Sequence, residues 1–158
     1  MKYYGCFLAY AIVRLSEMYQ GERACRRYKL KNVKLRNVAV SGDVSIGEGT
    51  YINSGQIQGG KNSKVVIGKN CNIGWNVFIS SVTHPKKDST NASLERYESD
   101  VKIGDRVWIG NNVVVREGIT IGDNVVVGAN SVVTHNVKPC EVVGGVPARA
   151  LGQGSCKI

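Results

Sequence analysis

Aromatic side chains are scarce in this sequence, at 7% of its 158 residues, whereas glycine occurs 19 times. A chain of this length can form one domain with a real core, but it is too short for two ordinary domains. With so few rings available, the core has to be built from aliphatic side chains, and the glycines permit sharp turns between them. The composition therefore favours many short strands in a single domain.

Paired cysteines and long apolar runs are missing as well. The five cysteines are widely spaced and include no Cys-x-x-Cys pair, which argues against both a disulfide framework and a zinc site. The apolar stretch at residues 3–13 is too short to cross a bilayer, and no small-x-small cleavage site follows it. We interpret this stretch as a docking helix and expect a cytoplasmic protein in a reducing compartment.

The acidic residues do not balance the basic ones, and the excess lies at the N-terminus. Residues 1–38 contribute +7 of the net charge of +9. A basic patch can attract nucleic acid, acidic lipid or a phosphorylated ligand. No helix-turn-helix or RNA-binding motif accompanies it, so we expect no nucleic-acid partner. Residues 5–28 are rich in helix formers, and we favour a helix that caps the fold over an element that binds a membrane, while keeping peripheral membrane contact open.

Aliphatic residues recur at every sixth position over most of the chain. All twelve members of this series are Ile or Val, and glycine follows seven of them. The members are Val40, Ile46, Ile52, Ile67, Ile73, Ile79, Ile103, Ile109, Val115, Ile121, Val127 and Val133. A helix requires apolar spacing near 3.6 and a half-buried strand requires alternation. A period of six with a permissive glycine at the corner instead predicts a coil of short strands, three to a turn, whose turns stack by parallel pairing.

The repeat is interrupted twice. From Ile52 to Ile67 the spacing is 15, so a bulge or small loop is predicted at residues 56–64, a polar stretch that contains Gly59 and Gly60. From Ile79 to Ile103 the spacing is 24, which keeps the phase, yet residues 85–100 are polar and contain no repeat. We predict a protruding loop there in place of one coil, and long loops of this kind usually carry function.

Four segments carry a family resemblance: Ile103–Gly110, Gly118–Gly122, Gly128–Thr134 and Gly144–Arg149. They resemble motifs of the hexapeptide-repeat acyltransferases, among them the galactoside, maltose and nodulation-factor O-acetyltransferases and relatives in capsule and lipopolysaccharide biosynthesis. The resemblance covers about residues 40–150. It implies a left-handed parallel β-helix, a homotrimer with active sites between adjacent subunits, and acetyl-CoA as the acyl donor, without a metal.

The predicted organisation is therefore all-β and single-stranded. An N-terminal helical, basic cap occupies residues 1–38, and the left-handed parallel β-helix occupies 39–150 with its protruding loop at 85–100. A C-terminal tail follows at 151–158. Such a protein would transfer an acetyl group from acetyl-CoA to a hydroxyl of a sugar or glycan precursor.

Acyl transfer to a hydroxyl needs a base for the proton and donors for the developing oxyanion. The chain has two histidines, and His84 stands directly before the polar loop, where the resemblance places the catalytic base. The base needs a partner that fixes its tautomer. The resemblance points to Glu95 for this role, and Asp88 and a backbone carbonyl compete with it.

The resemblance also implies contacts with coenzyme A. They comprise the backbone amide of Asn111 at the oxyanion or thioester, the small side chain of Ala129 beside the pantetheine, Thr134, and Arg149 at a nucleotide phosphate. His135 occupies a position where the sugar acetyltransferases typically have a lysine. Trp108 is interpreted as a packed or groove-lining aromatic residue.

The acceptor site departs from the family pattern. The acceptor-binding asparagine of the galactoside enzymes falls on Ser54 by its spacing to His84, with Asn53 beside it. Both are candidate substrate-binding residues, and we expect the acceptor to be a capsule, lipopolysaccharide or related glycan hydroxyl.

Four alternative functions share parts of this pattern. A zinc carbonic anhydrase of the same fold needs three histidines per metal site, and the chain has two. A serine acetyltransferase normally carries a larger helical N-terminal domain, and an aminosugar N-acetyltransferase a nucleotide-sugar domain. The fourth alternative is a repeat scaffold without enzymatic activity.

Overall fold

A computed structural model describes residues 23–84, 96–154 and 156. A short helix covers residues 23–27, and sixteen strands follow it within these described ranges. The predicted helical cap at residues 5–28 therefore lies mostly outside the described residues. No helix in the described part is long and apolar enough to span a membrane.

The strands form the three faces of a prism, in the left-handed parallel β-helix that the sequence predicts. Two long strands each run across the first and second faces, β1 (Lys34–Ser41) and β3 (Tyr51–Gln58). The first face continues with β5 (Asn72–Ile73), β10 (Trp108–Ile109), β13 (Val126–Val127) and β15 (Glu141–Gly144). The second continues with β6 (Val77–Ser80), β11 (Val114–Val115) and β14 (Val132–Val133). The third contains β2 (Asp43–Ile46), β4 (Lys64–Ile67), β9 (Val101–Ile103) and β12 (Thr120–Ile121).

Pairing on all three faces is parallel and in register with the six-residue period. Ile67 aligns with Ile103 on the third face, and Ile103 aligns with Ile121 on the next coil. Eleven of the twelve series members are buried, and Val40 in the first coil is half-buried. The residue four positions later also faces inward, with Gln56 and Thr83 as the exceptions beside the two phase breaks. The core is a column of Ile and Val along the axis of the prism.

The glycines after the series members act differently from the prediction. They do not adopt left-handed backbone conformations; those lie two residues further on, at Asn70, Asn76, Arg106, Asn112, Asn124 and Asn130. A Cβ on Gly110 would instead lie 2.7 Å from the backbone nitrogen of Ala129 on the next coil. Six of the seven glycines are required because neighbouring coils stack closely, whereas a Cβ on Gly128 would lie no nearer than 3.5 Å to its neighbours. The expectation of a permissive corner was therefore wrong in its reason.

Both phase breaks lie at the same edge, between the second and third faces. The small bulge occupies residues 59–63, and the predicted loop leaves one coil higher, after β6. Strands β7 (Val82–Thr83) and β8 (Tyr97–Glu98) pair antiparallel there, and residues 85–95 lie outside the described ranges. Strand β9 then pairs directly with β4, so the stem leaves the prism at this edge and the stack continues beyond it.

The last strand of the parallel stack, β15, ends at Gly144. The chain then turns back as β16 (Arg149–Gln153), antiparallel to β15, and crosses the predicted start of the C-terminal tail at residue 151. This return brings residue 156 beside residue 140, and a disulfide joins Cys140 to Cys156, with Cα atoms 5.5 Å apart. The spacing of the cysteines argued against a disulfide framework, and it does not reveal this single pair, which depends on the reversal of the chain.

Candidate active site

The predicted site residues lie along two edges of the prism. The first edge, between the first and second faces, carries Ser54, Trp75, Asn111 and Ala129 at equivalent positions of successive coils. The second edge, between the second and third faces, carries the stem of the loop with His84, and two coils further on Thr134 and His135. About five residues of strand separate the edges, which at 3.3 Å per residue is roughly 16 Å.

His84 directly follows β7 and is exposed. Its register partner across the β7–β8 pair would be residue 96, one step beyond the pairing of Thr83 with Tyr97. Glu95 and Asp88, the candidates for its orienting partner, lie outside the described residues. The structure thus places the candidate base at the end of a two-stranded stem that leaves the second edge.

The first edge presents backbone donors. Asn111 accepts a hydrogen bond on Oδ1 from the backbone N–H of Trp75, at 2.8 Å, and its carbonyl accepts one from the N–H of Asn130, also at 2.8 Å. The N–H groups of Asn111 and Ala129 themselves have no acceptor among the described residues. These two donors are therefore available to a ligand oxygen, as the candidate role of Asn111 requires.

Two exposed tryptophans flank this edge. Trp108, on the first face, is 58% exposed and points outward, so it is not packed in the core. Trp75 is 43% exposed, and the guanidinium of Arg36 lies 5.7 Å from its ring centroid. Sequence reasoning missed Trp75, although the register of the repeat would have placed it between Ser54 and Asn111.

Ser54 and Asn53 are already engaged in the structure. The Ser54 Oγ accepts a hydrogen bond from the N–H of Asn76 at 2.8 Å, and Asn53 Oδ1 accepts one from the hydroxyl of Tyr51 at 2.7 Å. Ser54 nevertheless lines a groove of about 390 Å³ beside Gln56 and Phe78. Its hydroxyl hydrogen can still be donated into that groove.

His135 and Arg149 meet at the C-terminal end of the prism. Both line a cleft of about 370 Å³ whose floor is formed by Val133, Val137 and Val143 from the last coil. His135 Nδ1 lies 2.9 Å from the hydroxyl of Thr134. The Arg149 guanidinium is exposed and donates to the carbonyl of Ala148, at 3.0 Å. Strand β16 thereby brings three predicted coenzyme A contacts to one end of the fold.

Other reactive groups fit this site poorly. Cys71 is 1% exposed, and its Sγ donates to the carbonyl of Gly104 at 3.2 Å. Burial raises the pKa of the Cys71 thiol above its ordinary value, so the thiol is a weak nucleophile there. Among the described residues, no group of three or more His, Cys, Asp or Glu side chains is placed to hold a metal ion.

Comparison with known proteins identifies the same repeat. Residues 100–135 match the family model for the bacterial transferase hexapeptide (six repeats), and residues 64–83 match that for the hexapeptide repeat of succinyl-transferase. The chain is 44% identical over 87 residues to galactoside O-acetyltransferase of Escherichia coli (strain K12), covering 55% of this chain and 43% of that protein. It spans about half the length of the curated relatives it matches.

Two solved structures are similar over nearly the whole chain. One is a hexapeptide-repeat-containing acetyltransferase of Vibrio cholerae O1 biovar eltor in complex with acetyl-coenzyme A, with a TM-score of 0.71 and 28% identity over 92% of this chain and 85% of that one. The other is a galactoside acetyltransferase in complex with coenzyme A, with a TM-score of 0.68 and 28% identity over 92% of this chain and 82% of that one.

Proposed function

We propose that this chain is a hexapeptide-repeat acyltransferase, which transfers an acetyl group from acetyl-CoA to a hydroxyl of a sugar or glycan. The observation that carries the proposal is the exposed His84 at the end of the stem, on a fold similar to acetyltransferases solved with acetyl-CoA and coenzyme A. The named acceptors of the relatives, galactosides among them, favour a carbohydrate hydroxyl.

In the proposed reaction, His84 takes the proton of the acceptor hydroxyl as the hydroxyl oxygen attacks the thioester carbonyl. The carbonyl oxygen becomes an oxyanion and accepts a hydrogen bond from the N–H of Asn111, which has no acceptor among the described residues. Collapse of the tetrahedral adduct breaks the carbon–sulfur bond. The thiolate of coenzyme A then takes the proton from the imidazolium, and the acetyl ester of the acceptor remains.

The spacing of the two edges supports a homotrimer with sites between subunits. His84 is carried by the stem that leaves the second edge, the Asn111 amide lies at the first edge, and the length of the second face separates the two edges by roughly 16 Å. Base and oxyanion donor have to act on one carbonyl group, within hydrogen-bond distance. In a threefold assembly the second edge of one subunit can face the first edge of its neighbour, and one site then contains both groups.

Subunit mixing tests this arrangement. An Asn111→Pro variant lacks the N–H, and a His84→Ala variant lacks the base. When the two inactive variants are denatured and refolded together, a site between subunits regains both groups in part of the mixed trimers. Recovery of acetyl transfer in the mixture supports the proposal, and a mixture of folded trimers that stays inactive contradicts it.

The basic N-terminal region suggests where the protein acts. Residues 23–42 contain no acidic residue and seven basic ones. Six of the basic residues are exposed and Arg36 is half-buried; the exposed ones are Arg23, Arg26, Arg27, Lys29, Lys31 and Lys34. Three of these arginines line a cleft of about 410 Å³. Such density of positive charge suits an anionic phospholipid surface. In this proposal the protein is cytoplasmic and contacts the membrane peripherally, where membrane-bound glycan intermediates are within reach.

The acceptor is found by measuring thiol release from acetyl-CoA in the presence of single sugars, disaccharides and capsule or lipopolysaccharide fragments. The proposal expects at least one carbohydrate to stimulate release and to gain an acetyl ester, detected by mass spectrometry. If serine or the amine of an aminosugar stimulates release more than every carbohydrate hydroxyl does, the corresponding alternative transferase takes the place of the proposed function. Absence of turnover with every acceptor, in folded protein, favours a repeat scaffold.

A further inference from the structure

The stem that carries His84 stands on the small bulge of the coil below. The bulge, residues 59–63, and the stem share the second edge. The Ser99 N–H donates to the Ser81 carbonyl at 2.9 Å and closes the base of the stem. Two of the irregularities that interrupt the repeat are therefore in direct contact.

Two buried hydroxyls join bulge and stem. Ser81 is fully buried and Ser63 is 6% exposed, and their Oγ atoms lie 2.8 Å apart. The Gly60 N–H also donates to the Ser81 Oγ, at 3.0 Å. Buried hydroxyls are held in place by such bonds because an unpaired polar group would be costly there.

The carboxylate of Glu98 is the charged member of this contact. It is half-buried on β8, directly opposite Val82 in the register of the stem. Its Oε2 accepts the backbone N–H of Asn62 at 2.6 Å and the hydroxyl of Ser63 at 3.4 Å. The hydrogen bond from Asn62 is the main reason why the pKa of Glu98 lies below its ordinary value.

Gly60 makes room for this contact. A Cβ at residue 60 would lie 2.3 Å from Glu98 Oε2 and 2.3 Å from the Ser63 Oγ. Two residues after Glu98, Asp100 Oδ1 accepts the N–H of Lys64 at 3.0 Å, so the exit of the loop is held by a second carboxylate. The bulge is thus shaped to accept side chains of the strand that returns from the loop.

We propose that Glu98 is a positioning residue, which fixes the two-stranded stem on the bulge and thereby sets the place of the His84 imidazole. His84 directly follows β7, and within the described ranges β7 pairs with β8 while the Val82 N–H donates to the Ser80 Oγ at 3.1 Å. Without the bond from β8 to the bulge, the stem can tilt about the edge and carry the imidazole away from the acceptor. This inference rests on the proposed role of His84 as the base.

Histidine NMR tests the placement without a substrate. The chain contains two histidines, so ring-labelled, untagged protein gives two sets of imidazole signals, assigned with His135→Gln. In Glu98→Ala the His84 signals should shift or broaden while those of His135 stay in place. Gly60→Ala, which displaces the carboxylate from the opposite side, should give the same response. Asp123→Ala is the matched control, since Asp123 Oδ1 also accepts a backbone N–H, from Asp105 at the edge between the third and first faces.

Kinetics test the consequence. Glu98→Ala should lower kcat by about 10- to 100-fold with little change in KM for acetyl-CoA, since a small displacement of a catalytic group costs this much. Glu98→Gln keeps an oxygen that can accept the Asn62 N–H, so its kcat should lie closer to wild type. Unchanged His84 signals in both Glu98→Ala and Gly60→Ala overturn the inference, as does an equal disturbance of His84 and His135.

The two proposals can fail separately. If His84→Ala turns over acetyl-CoA as fast as wild type, the catalytic role of His84 is lost, and the NMR response still decides whether Glu98 places this side chain. If His84→Ala is inactive and Glu98→Ala keeps wild-type kcat and signals, the catalytic role stands and the positioning role is contradicted.

Discussion

The side-chain amide of Asn112 donates to the Oδ1 of Asn130 on the next coil, at 3.1 Å, and both residues have left-handed backbone conformations at the first edge. Asn76 extends the same ladder from the coil before, with its Nδ2 3.1 Å from Asn112 Oδ1. Asparagine tolerates this backbone region better than other residues with a side chain. The ladder holds together the edge that presents the Asn111 amide.

Replacement of Asn112 should separate the contribution of its side-chain hydrogen bonds to stability from that of its left-handed backbone conformation. Asn112→Ala loses the ladder bonds and places Ala at a φ of 56°, which costs about 1–2 kcal/mol for the backbone alone. Asn112→Gly relieves the backbone and loses only the bonds, so its free energy of unfolding should lie between those of Ala and wild type. Urea unfolding of the three proteins measures the order, and a Gly variant less stable than Ala would contradict it.

Truncation of the two neighbouring residues of β10 should change the stability of the protein by very different amounts. Ile109 is fully buried, and Ile109→Ala should lower the free energy of unfolding by about 2–5 kcal/mol through lost burial and a residual cavity. Trp108 is 58% exposed, and Trp108→Ala should change stability by no more than about 0.5 kcal/mol. Thermal unfolding of both variants checks this, and similar losses in the two would contradict the outward orientation of Trp108.

The Glu98 carboxylate should lose its contribution to stability at acid pH. Because its pKa is lowered in the folded protein, chiefly by the Asn62 N–H, the carboxylate stabilises the fold above its ordinary pKa near 4.5. That contribution should disappear as the pH falls through the lower, folded pKa. Hydrogen exchange of the Ser99 amide, measured from pH 6 downward, should accelerate relative to the Asn124 amide in wild type. Glu98→Gln should lack this pH-dependent difference, and an identical profile in both would contradict it.

The basic region should bind anionic vesicles through charge. Replacement of Lys29, Lys31 and Lys34 by Gln removes three exposed cations, each worth about 1 kcal/mol near an anionic surface, so affinity should fall about 100-fold. Co-sedimentation with phosphatidylserine vesicles measures this, and raised salt should weaken binding of the wild type. Replacement of Lys69 and Lys102, exposed elsewhere on the prism, serves as the control. Equal binding to neutral phosphatidylcholine vesicles would contradict an electrostatic contact.

The period of the sequence predicts most of the fold, because every buried position of a stacked coil repeats with its spacing. Ile103 and Ile121 can be aligned from the six-residue period alone, and so can Asn111 and Ala129 at the first edge. Ser54 joins that edge once the three extra residues before Ile67 are placed in the bulge. The reason for the repeat glycines cannot be predicted from the period, since the steric exclusion of a Cβ at Gly110 depends on the backbone of the coil beside it.

Contacts outside the period were not predictable in the same way. The bond between Glu98 and Asn62 joins two interruptions of the repeat, 36 residues apart, and neither segment has a pattern that indicates the other. The pairing of Cys140 with Cys156 depends on the reversal of the chain after residue 147. The roles of His84 and Asn111 come from the resemblance, and the structure adds that the two lie at different edges.

The central claim is that His84 removes the proton of an acceptor hydroxyl during acetyl transfer. The most direct measurement is kcat for the best carbohydrate acceptor in wild type and His84→Ala, with Lys102→Ala as an exposed control on the third face. Loss of a general base should lower kcat by about 10²- to 10⁴-fold, while Lys102→Ala keeps wild-type turnover. Equal turnover in wild type and folded His84→Ala would contradict the account.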